Sequence, residues 1–482
     1  MNKFQHYLDA TSEVGLVEEV SSSLAKVSGI PGARITETVV FESGEVGQII
    51  FIKPAECEIL VFDQTMPRVG SKAARTGEYL SVPVGEELLG RVIDPIGKIV
   101  LGAPAEKKME YRPVDVKPLG IVSRRKIDQP LITGVTLVDS LVPLGKGQRE
   151  LVIGDRKTGK SQFLRKTILS QAQQGMLCIY AAIGKKKTEI KEVFNYFVEN
   201  GVSKNVVMVA TGSHNSSAQI YLTPYTAMTI AEHFRDMGRD VLIVMDDMTT
   251  HAKYYREMSL VARKFPGRDS YPGDVFHAHS KLLERAGNFA TKNGKNVSIT
   301  CLAAAESVQG DIAGYIQTNL MSMTDGHIFF DSEYFFRGRR PAVNPFLSVT
   351  RVGRQTQNQL QKEMSHKLIT ILSDYENTLR FQKFGAELGE NSRDTLLMGE
   401  DVLQFFNQPL TSQVPMDLQI SLFGMLITKN WHGKNIGQAV EKYNQNTAVR
   451  VELAKLLGAA KTLDDLVRSV LANLTTFRAI MP

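Results

Sequence analysis

The 482-residue sequence is poor in cysteine, has one tryptophan and carries almost no net charge. Its three cysteines, Cys57, Cys178 and Cys301, lie far apart and form no C-x-x-C pair. That spacing suggests neither a disulfide framework nor a cysteine zinc site, and it fits a reducing compartment. No stretch approaches the ~18 apolar residues of a membrane span, and the N-terminal segment holds acidic residues without an apolar block. The expectation is a cytoplasmic protein, or one peripheral on the cytoplasmic face of the cell membrane through partners only. Lys plus Arg number 57 against 51 Asp plus Glu, a balance of +6 spread along the chain. Charge alone therefore argues neither for nor against a polyanionic partner. No internal repeat or low-complexity tract is present.

What is there is an ordinary globular composition, 43% apolar and 22% charged. At about 150 residues per domain the length allows roughly three domains, and the local patterns divide the same way. Over residues 1–80, short β-prone runs (Val39 to Phe41, Ile49 to Ile52, Glu58 to Phe62) are broken by Gly and Pro, which reads as a small β-barrel. Over 81–355, buried-type strands at Leu151 to Ile153, Leu177 to Ala182, Val206 to Ala210, Val241 to Met245 and Val297 to Ala303 alternate with helical segments, the pattern of a mostly parallel α/β sheet. Thr223 followed by Pro224 predicts a helix N-terminus there. Over 356–482, Leu360, Met364, Leu368 and Leu372 recur at helical spacing, so the last region is predicted to be helical.

The chemistry concentrates in Gly154-Asp155-Arg156-Lys157-Thr158-Gly159-Lys160-Ser161, which matches G-x-x-x-x-G-K-S between a predicted strand and a predicted helix. Glycines let backbone N–H groups turn inward around phosphates, and the helix N-terminus adds partial positive charge. Lys160 would reach the β and γ phosphates, and the Ser161 hydroxyl can sit on Mg²⁺. A P-loop also needs a carboxylate after a neighbouring strand to hold the metal's water shell. Val241 to Asp247 supplies an apolar strand ending in two acids, with Asp246 the candidate; an Asp there can equally be a helix cap.

Hydrolysis needs a further group, a carboxylate or amide that orients the attacking water. In hexameric ATPases with this kind of core it follows the strand after the P-loop helix, and here that position is Lys185. A charged ammonium cannot accept a proton from water, and Glu189 comes four residues too late. The expectation is a site that holds nucleotide without turning it over.

The P-loop, the segment Pro266 to Phe276 with His279 to Ala286, Thr324-Asp325-Gly326, and Arg340 to Asn344 with Ser348 to Gly353 together closely resemble the alpha subunits of F-type ATP synthases, in order from about residue 15 to 470. The resemblance implies a β-barrel crown, a RecA-like nucleotide domain and a C-terminal helical domain. It implies Mg-ATP or ADP bound at a non-catalytic site, in a ring of three such chains alternating with three beta-type catalytic chains around a central, gamma-type stalk. Arg351 resembles the family's arginine finger, projected into the neighbouring catalytic site, where a guanidinium stabilises transition-state charge. Arg340 resembles the Arg flanking the adenine pocket, and Gln408 one of two Gln residues that contact the base. The second appears as Leu410, which puts base selectivity in question. The segment before the barrel is short, so attachment to a peripheral-stalk, delta-type subunit is expected to differ.

Some wall-less bacteria carry additional heads of this kind that serve other machinery, including motility, and that reading stays open. A catalytic hexameric ATPase of the type III secretion class would carry Glu at 185. An RNA translocase could use Arg124-Arg125-Lys126 and Arg337 to Arg340, but short basic runs are usually solvated surface, and no nucleic-acid partner is expected. His277 and His279 lack a third ligand and are read as structural.

Overall fold

The computed structural model describes residues 3–105, 107–291, 294–383, 390–409, 412–431 and 436–481. The chain forms two compact units: Met1–Arg125 with Gly175–Ala305 and Ala313–Met323, and Lys126–Gln174 with Glu306–Ile312 and Thr324–Pro482.

In the first unit, six strands, β1 (Val14–Ser21), β2 (Leu24–Ser28), β3 (Glu37–Phe41), β4 (Val46–Ile52), β5 (Glu56–Val61) and β6 (Lys72–Tyr79), close into a barrel in the order β1-β2-β5-β4-β3-β6. Closure leaves no unpaired strand edge. Alternation decides which side chains fill it: Val17, Val27, Val39, Phe41, Ile49 and Ile59 point inward and are buried, while Leu16 and Phe51 remain exposed. A short helix, Lys3–Thr11, packs Phe4 on Val40 and Ala74 of the barrel wall.

The same unit holds a parallel array in which Leu177–Lys185 lies between Val206–Gly212 and Val241–Asp246. Arg91–Ile93 continues it on one side and Asn296–Glu306 on the other. Strands buried on both faces carry continuous apolar runs, and Leu177 to Ile183 is buried throughout. The helix Ser217–Asp236 packs on three of these strands. It starts two turns earlier than Thr223-Pro224 suggested, because the Ser216 side chain caps it by accepting from the Gln219 amide. Pro224 therefore sits inside the helix, where one missing backbone bond is offset by burial of nearly the whole element.

In the second unit, Arg149–Gly154 pairs in parallel with Gly326–Phe330, placing Leu151 opposite His327 and Gly154 opposite Phe330. Val349–Thr350 adds an antiparallel edge. The helix Lys160–Gln173 follows the first of these strands. The C-terminal part is helical and includes Gln359–Lys383, Glu390–Phe406, Met416–Ile427, Ile436–Gln445, Thr447–Ala459 and Leu463–Ala472. Leu360, Met364, Leu368 and Leu372 form the buried face of the first, as their spacing predicts. Thr462 and Asp465 form a reciprocal capping box at the last. Among the described residues, no helix is long and apolar enough to cross a membrane.

Ile59 is fully buried in the barrel. Ile59→Ala is expected to cost about 2–5 kcal/mol through lost transfer energy and a residual cavity. Hydrogen exchange along the barrel strands under increasing urea would read it, and protection unchanged from wild type would contradict this packing.

Candidate functional site: a P-loop and the cavity beside it

The loop from Gly154 to Ser161 leaves the end of one strand and enters a helix. At Gly154 (φ +157°) an added Cβ would lie 2.3 Å from the Phe330 carbonyl oxygen, so only glycine allows the strands this close. Gly159, at φ +105°, is the left-handed residue immediately before the helix. Lys160 is buried, and its Nζ donates to the carbonyls of Gly154 and Asp155 at 2.6 Å each. The ammonium is thereby held over the loop's own mouth. Ser161 opens the first helical turn, half-buried.

The remaining loop positions serve its shape. Thr158 Oγ1 donates to the Asp155 carbonyl at 2.8 Å. Asp155 turns its carboxylate outward from the loop to accept from Ser307 Oγ (2.6 Å), Ser332 Oγ (2.7 Å) and the Gly310 amide (3.0 Å). Burial would raise its pKa, but these donors and the Lys160 charge outweigh burial and lower it. Lys157 sits at φ +64°, and Arg156 extends to an ion pair with Glu306 at 2.9 Å. This clasp is invisible in sequence, because its donors come from segments about 150 residues downstream.

Beside the loop lies a cavity of about 260 Å³, lined by Phe163, Lys166, Phe330, Phe335, Arg340 and Gln408 among others. It brings both expected base-flanking residues to one site. Arg340 lays its guanidinium 3.9 Å from the Phe335 ring centroid and donates from Nη1 to the Phe335 and Arg339 carbonyls. Gln408 is buried, giving its amide hydrogens to the Gly134 (2.7 Å) and Ser412 (2.6 Å) carbonyls, while Oε1 accepts from the Thr136 amide (3.1 Å). Gln408 is thus a braced wall rather than a loose donor. Leu410 lies outside the described residues. Lys166 lines the same cavity with no motif to mark it; its only sequence signal is its place three residues after Phe163 on one helix face.

Arg351 is exposed just beyond Val349–Thr350, and its amide donates to the Asp325 carbonyl at 3.0 Å. Asp325 is itself clamped by Arg149, through the backbone amide (2.9 Å) and the guanidinium (2.7 and 3.1 Å). Among the described residues the Arg351 side chain forms no ion pair, so no local carboxylate consumes it. Next to this strand end, Glu150 is fully buried, accepting from Gln148 Nε2 at 2.7 Å, with Oε1 unpartnered. Burial pushes its carboxyl well above the usual range, Asp325 adds to the rise, and Gln148 and Arg351 oppose it.

In the other unit, Asp246 ends the strand Val241–Asp246 and is buried. Its Oδ1 accepts from Lys185 Nζ at 2.7 Å and its Oδ2 from the Tyr180 hydroxyl at 2.6 Å. Burial lowers the Lys185 pKa, but Asp246, then Asp247, more than compensate and raise it, so the ammonium stays protonated. Asp247 is the helix cap, accepting from the Thr250 amide at 2.6 Å. Glu189 is exposed on the following helix. His279 is buried, its Nε2 3.0 Å from His251 Nδ1, whereas His277 is exposed. Arg124 is taken up by the Ala286 carbonyl and the face of Phe289.

A lysine-bearing loop that joins a parallel strand to a helix, beside an aromatic cavity, defines an α/β P-loop nucleotide-binding protein. Residues 134–350 match the nucleotide-binding domain of the ATP synthase alpha/beta family, and residues 357–471 match the C-terminal domain of the alpha/beta chains. The sequence is 39% identical to the ATP synthase subunit alpha of Clostridium acetobutylicum over 421 residues, 87% of this chain and 83% of the relative. It is 38% identical to those of Lactobacillus helveticus (87% and 84% covered) and Limosilactobacillus fermentum (86% and 81%). The chain belongs to the ATP synthase alpha/beta family.

Glu150 supplies a pH test of the site's packing. The folded state binds this proton more tightly than the unfolded chain, so stability falls as pH rises from the ordinary glutamate value of about 4.3 through the raised folded value. Glu150→Gln removes that slope. The urea midpoint of the variant is expected to gain on wild type as pH is raised from about 4.5 to 8; a pH-independent difference would mean that Glu150 is not buried as an acid.

Proposed function

We propose that this chain is the non-catalytic, alpha-type subunit of a rotary ATPase head, gripping a nucleoside triphosphate and lending Arg351 to a neighbouring catalytic site. The Lys185–Asp246 ion pair carries the first half of this reading. At the position where hydrolysis needs a base, a cation is held protonated against a buried carboxylate. Such a group neither accepts a proton from water nor orients it for attack.

In this reading the P-loop amides and Lys160 hold the phosphates, with Lys160 exchanging its carbonyl partners for phosphate oxygens. Mg²⁺, bound with the nucleotide, neutralises phosphate charge, and Ser161 is the loop residue that would hold it. Both Asp246 oxygens are engaged by Lys185 and Tyr180, so a metal role for Asp246 requires that pair to open. The nucleotide then acts as a structural ligand, stabilising the fold by about 4 kcal/mol at a thousandfold excess over Kd. ATP or ADP is the nucleotide that the family relationship suggests.

Exposed, anchored through its backbone and without an ion pair among the described residues, Arg351 suits a residue that serves a partner in trans. The partners proposed are beta-type catalytic subunits in a three-plus-three ring and a central stalk. A peripheral stalk and attachment to a membrane would come only through that complex. The three successive regions 1–80, 81–355 and 356–482 are the proposed crown, nucleotide and helical domains.

Two outcomes follow. The purified chain should bind Mg-nucleotide yet release negligible phosphate; robust release by the lone chain would overturn the non-catalytic assignment. In the assembled head, Arg351→Ala should lower turnover by about 10³-fold or more with assembly intact by size-exclusion chromatography, whereas wild-type turnover would remove the finger role.

A further inference from the structure

Glu150 is a buried acid that phosphate gripping does not use. Its Oε2 accepts from Gln148 Nε2 at 2.7 Å, while Oε1 has no hydrogen-bond partner. A Cβ built on Gly326 would lie 2.8 and 2.9 Å from the two carboxyl oxygens, so the carboxyl rests directly on the backbone of the adjacent strand. Gly326 is paired in turn with Thr350, the residue before Arg351. Gln148 spans the same gap: Nε2 also reaches Thr350 Oγ1 at 3.4 Å, and Oε1 accepts from the Gly145 amide at 2.9 Å. The carboxyl and the arginine are thus separated by one strand pair. Arg351 Cα lies within ~10 Å of the glycine on which the carboxyl rests, a gap that a long side chain can close.

The backbone there is fixed. Thr350 Oγ1 donates to the Pro143 carbonyl at 2.9 Å, and the Arg351 amide donates to Asp325 at 3.0 Å, which leaves the arginine side chain as the part that can move. Two charges act on the carboxyl besides its burial, which raises its pKa most: Asp325 raises it further, and Arg351 lowers it. Asp325 is already clamped by Arg149, so that guanidinium is committed. The titratable ring on the neighbouring strand, His327, is kept neutral chiefly by burial, faces the Leu347 carbonyl at 2.8 Å, and also feels the Arg351 charge. The guanidinium therefore hovers near this strand end, yet among the described residues it forms no ion pair.

A buried carboxylate is unfavourable unless a cation and further hydrogen bonds meet it. Here the idle Oε1 and the uncommitted guanidinium are the two halves of such a pair. We propose that Glu150 is a proton-controlled positioning residue for Arg351. As the neutral acid it leaves the guanidinium free to project toward the neighbouring catalytic site. Ionised, with its proton released to water, it draws the guanidinium inward onto Oε1 and withdraws it. This role rests on the reading of Arg351 as a residue that acts in trans, and it makes that action depend on pH.

The pH profile of turnover by the head, assembled with its catalytic partner chains, tests it between about pH 5 and 9. Glu150→Gln is expected to match wild type at the acid end and to gain on it roughly tenfold for each pH unit above the carboxyl's midpoint, because a neutral amide cannot capture the arginine. In an Arg351→Ala background the same substitution should leave the profile unchanged. A ratio of Glu150→Gln to wild type that does not vary with pH overturns the proposal and leaves the finger role standing, whereas wild-type turnover by Arg351→Ala overturns both. The full chain alone gives a second readout through linkage. Removing the cation that favours the ionised acid should make the fall in urea midpoint with rising pH extend to higher pH in Arg351→Ala than in wild type. Coincident profiles overturn the proposal, and this measurement decides should the Glu150→Gln head not assemble.

Discussion

The second unit turns on the contact between Gly154 and Phe330, where the last residue of one strand lies against the carbonyl of its parallel partner with no room for a side chain. That approach sets where the chain leaves the sheet, and so where the P-loop amides face. Because Phe330 also lines the cavity, the same contact relates the loop to the cavity's aromatic wall. One residue further on, Asp155 ties the loop to Ser307, Gly310 and Ser332, so the loop conformation is held by side-chain clasps as well as by its glycines. At the other end of the same strand, Arg149 clamps Asp325, which receives the backbone of Arg351. A single strand thus carries the nucleotide loop at one end and supports the exposed arginine at the other.

Charge is distributed to match. A cation beside a terminal phosphate is useful for binding whether or not hydrolysis follows, whereas a base is useful only for hydrolysis. The fold keeps Lys160 over the loop mouth and places a second lysine, Lys185, against Asp246. In a buried setting an ion pair with additional hydrogen bonds is far less costly than either charge alone, so Lys185 and Asp246 stabilise each other's ionised states, and the Tyr180 hydroxyl satisfies the remaining carboxylate oxygen. The pair is thus a structural element of the sheet's C-terminal edge.

Most of the architecture was legible in the residues. Runs of buried-type strand, alternating barrel strands and the spacing of Leu360, Met364, Leu368 and Leu372 are local patterns, and local patterns survive folding. The string from Gly154 to Ser161 announces a phosphate loop, since its glycine positions and the helix start that follows are local signals. Where local rules misled, a stronger interaction elsewhere had won: Pro224 marks no helix start because Ser216 caps the helix two turns earlier and burial holds the rest.

What the sequence by itself determined is the class of the fold, the P-loop and the lysine at 185, because each is written within a few consecutive residues. What only the tertiary structure decided is how the side chains are spent. Gln408 is braced by backbone from Gly134 and Thr136, Asp155 by residues about 150 positions away, Lys185 by Asp246, and Lys166 by the Pro409 carbonyl at a cavity assembled from four segments. Hydrogen bonding and burial depend on distances in space, and spacing along the chain does not encode those distances.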